Sequence, residues 1–107
     1  MQFKILVNFG VSGVTSDIRS FSFTSPRKGD TVAFYMSEEI DNYYAATVSL
    51  TLRSDKVHLL VYEPNGATIR KRVSPVTTSS FKNRWLPIKL ARSIEDLSDQ
   101  WDDNATR

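Results

Sequence analysis

YYAATVSLTLR, residues 43–53, decides the fold class of this chain. Tyr44, Ala46, Val48, Leu50 and Leu52 fall on one side of it, and Tyr43, Ala45, Thr47, Ser49, Thr51 and Arg53 on the other. Period-two alternation of this length, rich in β-branched and aromatic residues, predicts an extended strand with one face toward a core. Ser54-Asp55-Lys56 reads as a turn, and VHLLVYE (57–63) returns as a second strand. Pro64-Asn65-Gly66 turns the chain again, because Asn-Gly accepts the positive φ that a tight hairpin needs. Ala67 to Val73 completes a three-stranded meander.

Upstream, Phe3, Ile5, Val7 and Phe9 alternate and predict another strand. The glycines of 10–13 reverse it into a strand over Val14–Thr24, whose phase changes between Ile18 and Phe21. That change predicts a bulge bending the sheet. A turn over 25–30 leads to a short strand, Thr31–Tyr35, and an acidic loop follows over 37–42. Pro75 and Pro87 punctuate residues 74–90, which are expected to be irregular or short-stranded. Ser93 predicts the N-cap of a short helix ending near Trp101, with Ile94, Leu97 and Trp101 on one face. The expected architecture is mainly β: a small SH3-like or strongly bent-sheet barrel of five to six strands with a short C-terminal helix. Residues 1–92 would form the barrel-like domain with a basic C-terminal segment, and 93–107 the helix and an acidic tail.

With 107 residues, 40% of them apolar, the chain suits one domain with its own core. It has no cysteine, which excludes disulfides, thiolate zinc sites and cysteine nucleophiles. The single histidine, His58, sits between Val57 and Leu59 on a strand and reads as a structural or solvent-tipped side chain. No nucleophile elbow, phosphate loop or metalloprotease motif occurs. The adjacent acids Glu38/Glu39 and Asp102/Asp103 read as solvated, and the tail DLSDQWDDN lacks the glycine of a calcium loop. A non-enzymatic protein without cofactor or metal is the expectation. No apolar run approaches the roughly 18–20 residues of a membrane span. MQFKILVNFG does not read as a secretory signal, and Asn104-Ala105-Thr106 reads as a chance glycosylation triplet. A cytoplasmic protein with no membrane partner is therefore expected.

Charge is segregated along the chain. Residues 1–92 carry 13 Lys/Arg against 7 Asp/Glu, and residues 93–107 carry 1 against 5. The stretch TIRKRVSPVTTSSFKNRWLPIKLAR (68–92) holds seven cations, no acid, a phenylalanine and a tryptophan. Cations that approach phosphates release counterions, and exposed aromatic faces stack bases. Arg70, Arg72, Lys82, Arg84, Trp85, Lys89 and Arg92 are thus the candidate contacts for nucleic acid or a nucleoprotein. Strand alternation places Arg70 and Arg72 on one face, with Ile69 and Val73 inward on the other beside Lys71. The competing reading is that Phe81, Trp85, Leu86, Ile88 and Leu90 pack on the barrel and leave the charges as a solvated rim. A second functional class is a protein–protein interaction, with a partner or in a homodimer, through a β edge or the Ile94/Leu97/Trp101 face. The acidic tail could also cover the basic segment of its own chain.

The stretches GDTVAFYMSEEIDNYYAATV and VHLLVYEPNG resemble small SH3-like barrels of the Tudor group. Gly29, Asp30, Val32, Ala33, Tyr35, Tyr44, Ala46, Val48, Val61, Glu63 and Gly66 match that pattern in order over about 40 residues. Such domains hold methylated lysine or arginine in an aromatic cage. The resemblance implies Tyr35, Tyr44 (or its neighbour Tyr43) and Tyr62 as walls. PRKGD followed by YYAATV also resembles small unassigned β proteins of bacteria and phages, which would act as structural or inhibitory partners of other proteins.

Overall fold

The computed structural model describes residues 2–9, 18–78 and 80–105, with the backbone alone over 100–105. Among the described residues, seven strands form two antiparallel sheets. β1 (Gln2–Asn8) and β2 (Ile18–Thr24) make a two-stranded sheet. β3 (Thr31–Tyr35), β4 (Tyr43–Thr51), β5 (Val57–Glu63), β6 (Gly66–Val73) and β7 (Trp85–Pro87) make a second, in the order β6-β5-β4-β3-β7. A helix, α1 (Ile88–Ala105), follows directly. The expected mainly β chain with a C-terminal helix is present, but the sheets are not closed into a barrel: β6 and β7 lie at opposite edges. The chain after β6 crosses to the outer edge of β7, where Pro75 bridges Trp85, and Val76 N donates to Trp85 O at 2.9 Å.

Register assigns the faces. Val32, Phe34, Ala46, Val48, Val57, Leu59, Val61, Val73 and Trp85 share the inner face of the large sheet, and all are buried. The hairpin β1–β2 covers this face with Phe3, Ile5, Val7, Phe9 and Phe23. Phe3 and Phe23 stack at 5.1 Å and meet the Trp85 ring edge-on at 6.2 and 5.7 Å. On the outer face, α1 lays Ala91 and Ile94 over Ala33, Tyr35 and Leu86, all five fully buried. β3 is therefore covered on both sides, which explains its unbroken apolar run VAFY.

Four sequence expectations change. The β1–β2 ladder runs without a register shift from Asn8/Ile18 to Gln2/Thr24, so the phase change at Ile18 is no bulge. Ile18 simply faces outward, 58% exposed; Val14 lies outside the described residues. The bulges are instead in β4, between Val48 and Leu50, and in β6, opposite Val57–Leu59. The first turns Leu50 out of the core, to 46% exposure. The second adds one residue around Arg72, at φ 55°, and reverses the phase between Ile69 and Val73. Val73 is inward as expected, whereas Ile69 is 68% exposed. Finally, α1 starts at Ile88 rather than Ser93. Pro87 ends β7, the helix begins immediately after it, and Ser93 sits inside the helix with its hydroxyl donating to Lys89 O.

Candidate nucleic-acid interface

In a meander, the β4–β5 turn and the far end of β6 lie at the same end of the sheet. Here Val57 pairs with both Thr51 and Val73. The turn is one 3-10 turn, Arg53–Asp55, held by Lys56 N donating to Arg53 O and Leu52 N to Lys56 O. These elements frame a groove of about 520 Å³ lined by Leu52, Arg53, Ser54, Lys56, His58, Lys71 and Arg72. Four of the lining residues are cations and none is an acid. Among the described residues, no carboxylate pairs with any of the four cationic side chains. Asp55, the acid of the turn, points away and accepts a 2.8 Å hydrogen bond from Ser25 Oγ. Charges that in other settings would be neutralised locally are left facing one concavity.

A second hollow, of about 310 Å³, shares Lys71 and Arg72 and adds Phe34, Arg70, Val73 and Asn83. The two form a continuous cationic path around the β6 bulge. Among the described residues, four non-glycine residues have left-handed backbone: Ser54 (φ 61°), Asp55 (60°), Arg72 (55°) and Asn83 (60°). All lie on or beside this path. Left-handed backbone costs of order 1–3 kcal/mol at a non-glycine residue, and such strain collects where side chains must be aimed.

The residues nominated from sequence separate into groups. Lys71, absent from that set, and Arg72 lie on the path, and Arg53 and Lys56 join them from outside the 68–92 segment. Arg70 turns inward: its guanidinium stands 5.4 Å from the Phe34 ring centroid and Nη2 is 3.5 Å from Glu63 Oε1. Arg84 is half-buried and donates from Nη1 to Pro75 O. Lys82 is exposed beside Asn83. Lys89 lines a different hollow, with Asp30 and Pro87, and Arg92 is exposed on α1. Trp85 is a correction. It is fully buried, and its indole N–H donates to Asp55 O at 3.3 Å, so it offers no face to a base. Phe81 is likewise turned in, 5.0 Å from Tyr35.

The aromatic cage is not assembled. Tyr35 is buried under α1, while Tyr44 pairs across from Phe34 on the other face of the sheet. Tyr62 is half exposed on the outer face, its hydroxyl 3.0 Å from Thr47 Oγ1. Tyr35 packs against Tyr43 at 5.3 Å, and its buried hydroxyl has no hydrogen-bond partner among the described residues. Burial, with the nearby Tyr43 and Glu95, pushes the Tyr35 phenol well above its usual range. Tyr43 donates to Glu95 Oε1 at 3.0 Å, and burial together with that carboxylate pushes its phenol up to about 12. Of the proposed partner face, Ile94 is fully buried and Leu97 packs on the core, and the Trp101 side chain lies outside the described residues.

Glu38, one of the adjacent acids, has a structural task. Its Oε1 accepts from Phe81 N at 2.6 Å, Lys82 N at 2.5 Å and Ser80 Oγ at 3.4 Å. These donors, the backbone pair foremost, hold its carboxyl below the usual range. No helix carboxylate among the described residues pairs with a cation of the path. Among the described residues, no cluster of three His, Asp or Glu could hold a metal ion, and no helix is long and apolar enough to cross a membrane. No protein-family model, curated protein or solved structure matches the chain significantly.

Proposed function

We propose that this protein is a non-enzymatic binding module for nucleic acid, free or within a nucleoprotein, and that the groove of Arg53, Lys56, Lys71 and Arg72 is where it contacts phosphates. One observation carries the reading: among the described residues, four cations without a carboxylate partner converge on one concavity lined by no acid. Neighbouring phosphates of a polyanion can meet several of these charges at once, each contact releasing counterions. The left-handed backbone of Ser54 and Arg72, two lining residues, supports the reading, since such strain clusters at functional sites.

The test is fluorescence anisotropy with a labelled oligonucleotide at low and moderate salt. Lys71→Glu and Arg53→Glu should each weaken binding at least tenfold, and Arg92→Glu, on the helix, should leave it nearly unchanged. Equal losses from all three would indicate a diffuse charge effect and sink the groove. The open edge of β6 favours a second reading, addition of a partner's strand. Lys71 and the bulge at Arg72 oppose it along half that edge, since edge lysines and bulges discourage strand pairing.

A further inference from the structure

α1 covers the β3–β7 part of the outer face and the first residue of β4, Tyr43, which bonds Glu95. Among the described residues, the rest of that face on β4, β5 and β6 carries exposed apolar side chains: Tyr62 is 50% exposed, Ile69 68% and Leu50 46%, with Leu60 half-buried between them. Register places Thr47, Leu60 and Ile69 in one row, and Tyr62 beside Ala67 in the next, with Ala45 on its other side. The alanines are exposed and small, so neither strand neighbour crowds the Tyr62 ring. Its hydroxyl bond to Thr47, on the neighbouring strand, ties the ring to the sheet surface.

This face runs directly into the cationic groove. His58, which lines the groove, is followed on the same side of β5 by Leu60 and Tyr62. The span from His58 to Tyr62 is about 13 Å at strand rise. A flat apolar and aromatic platform joined to a cation-lined channel is what a single strand requires: phosphates track the charges while unpaired bases stack. A duplex keeps its bases stacked on each other and would leave the platform unused.

From this juxtaposition we infer that the ligand of the groove is a single strand of nucleic acid, with unpaired bases laid over Tyr62, Leu60 and Ile69. The inference rests on the groove reading above. The four cations of the groove match about four nucleotides, the low end of the site sizes of OB folds.

The experiment uses the full chain with labelled oligothymidylate, a duplex of equal length, oligouridylate and inorganic polyphosphate as a polyanion without bases. Tyr62→Ala is expected to weaken oligothymidylate binding about tenfold and leave polyphosphate binding unchanged, while Tyr62→Phe retains most of the affinity. Oligothymidylate should bind more tightly than the duplex or polyphosphate. If all ligands bind alike and Tyr62→Ala affects none, while Lys71→Glu weakens each, the platform inference fails and the groove stands. If nothing binds at low salt, both fail. Oligouridylate should also bind more tightly than polyphosphate, and its affinity relative to oligothymidylate tells an RNA strand from a DNA strand as the source. If Ile69→Asp instead converts a dimer to a monomer, the face belongs to a second copy of the chain and the inference is wrong.

Discussion

Trp85→Phe separates a core role from a binding role for the most conspicuous aromatic of the basic segment. The indole is fully buried, meets Phe3 and Phe23 edge-on, and donates to Asp55 O. Phenylalanine keeps a ring in the site but removes that donor and part of the packed volume. Loss of the hydrogen bond costs about 1 kcal/mol, and the smaller ring about 1–2 kcal/mol more as lost burial and residual cavity. The sum, about 2–3 kcal/mol, corresponds to a fall in Tm of roughly 9–13 °C for a chain of this size. Thermal unfolding followed by circular dichroism reads the shift. Affinity for the labelled oligonucleotide of the proposed test, at a temperature where both proteins are folded, should change less than threefold, because the Arg53–Asp55 turn keeps its own backbone bonds. An unchanged Tm with a tenfold loss of affinity would refute the burial argument and return Trp85 to the interface.

Contact with about four phosphates predicts a log–log salt slope near −2.8 on single strands, roughly a fiftyfold loss of affinity from about 50 to 200 mM salt. Lys71→Ala should make that slope shallower by about 0.7, as titrations at several salt concentrations would show. Tyr35→Phe deletes a buried hydroxyl that has no partner among the described residues, so it should raise stability by about 1 kcal/mol and Tm by about 4 °C. A loss of stability on urea or thermal unfolding would mean that the hydroxyl is satisfied. Glu38 has a folded pKa below its unfolded value. Its hold on the 80–82 turn is thus complete above the ordinary carboxylate range and is lost as pH falls through the depressed value. Protection of the Phe81 and Lys82 amides, taken against their intrinsic exchange rates at each pH, should fall there in the wild type, and already at neutral pH in Glu38→Ala.

The meander from 43 to 73 is legible because its alternation, its Asn-Gly turn and its β-branched content agree. Legibility stops at Ser49 and Arg72, where one added residue in each strand reverses the phase. A bulge is set by tertiary curvature and leaves little mark on a period-two pattern. The helix start was hidden by Pro87: proline ends β7, but it also permits a helix to begin directly after it, and the apolar spacing Leu90, Ala91, Ile94, Leu97 was present to show that. The basic segment was legible as composition but not as a surface. Arg70 and Arg84 are engaged by neighbours, and Trp85 buries its area in the core. Arg53 and Lys56 come from outside the segment, although hairpin arithmetic alone returns the end of β6 to the β4–β5 turn that carries them. Tyr62 was found for a cage whose other walls lie under the helix or across the sheet.

Among the described residues, the hairpin β1–β2 shares no strand ladder with the large sheet. It is fastened by Phe3 and Phe23 on Trp85, by burial of Ile5, Val7 and Phe9, and by Leu6 N donating to Thr78 Oγ1 at 3.3 Å. Its own cross-strand bonds survive if it lifts away as a body, whereas β3 cannot open without losing partners on both edges and cover on both faces. The molecule is thus built as two cooperative units of unequal rank. In native-state hydrogen exchange, amides of β1 and β2 should share one opening energy below that of β3. A lifted hairpin would expose the inner face of the large sheet, which makes this lid, rather than the charged edge at β6, the place where misassembly between copies would begin.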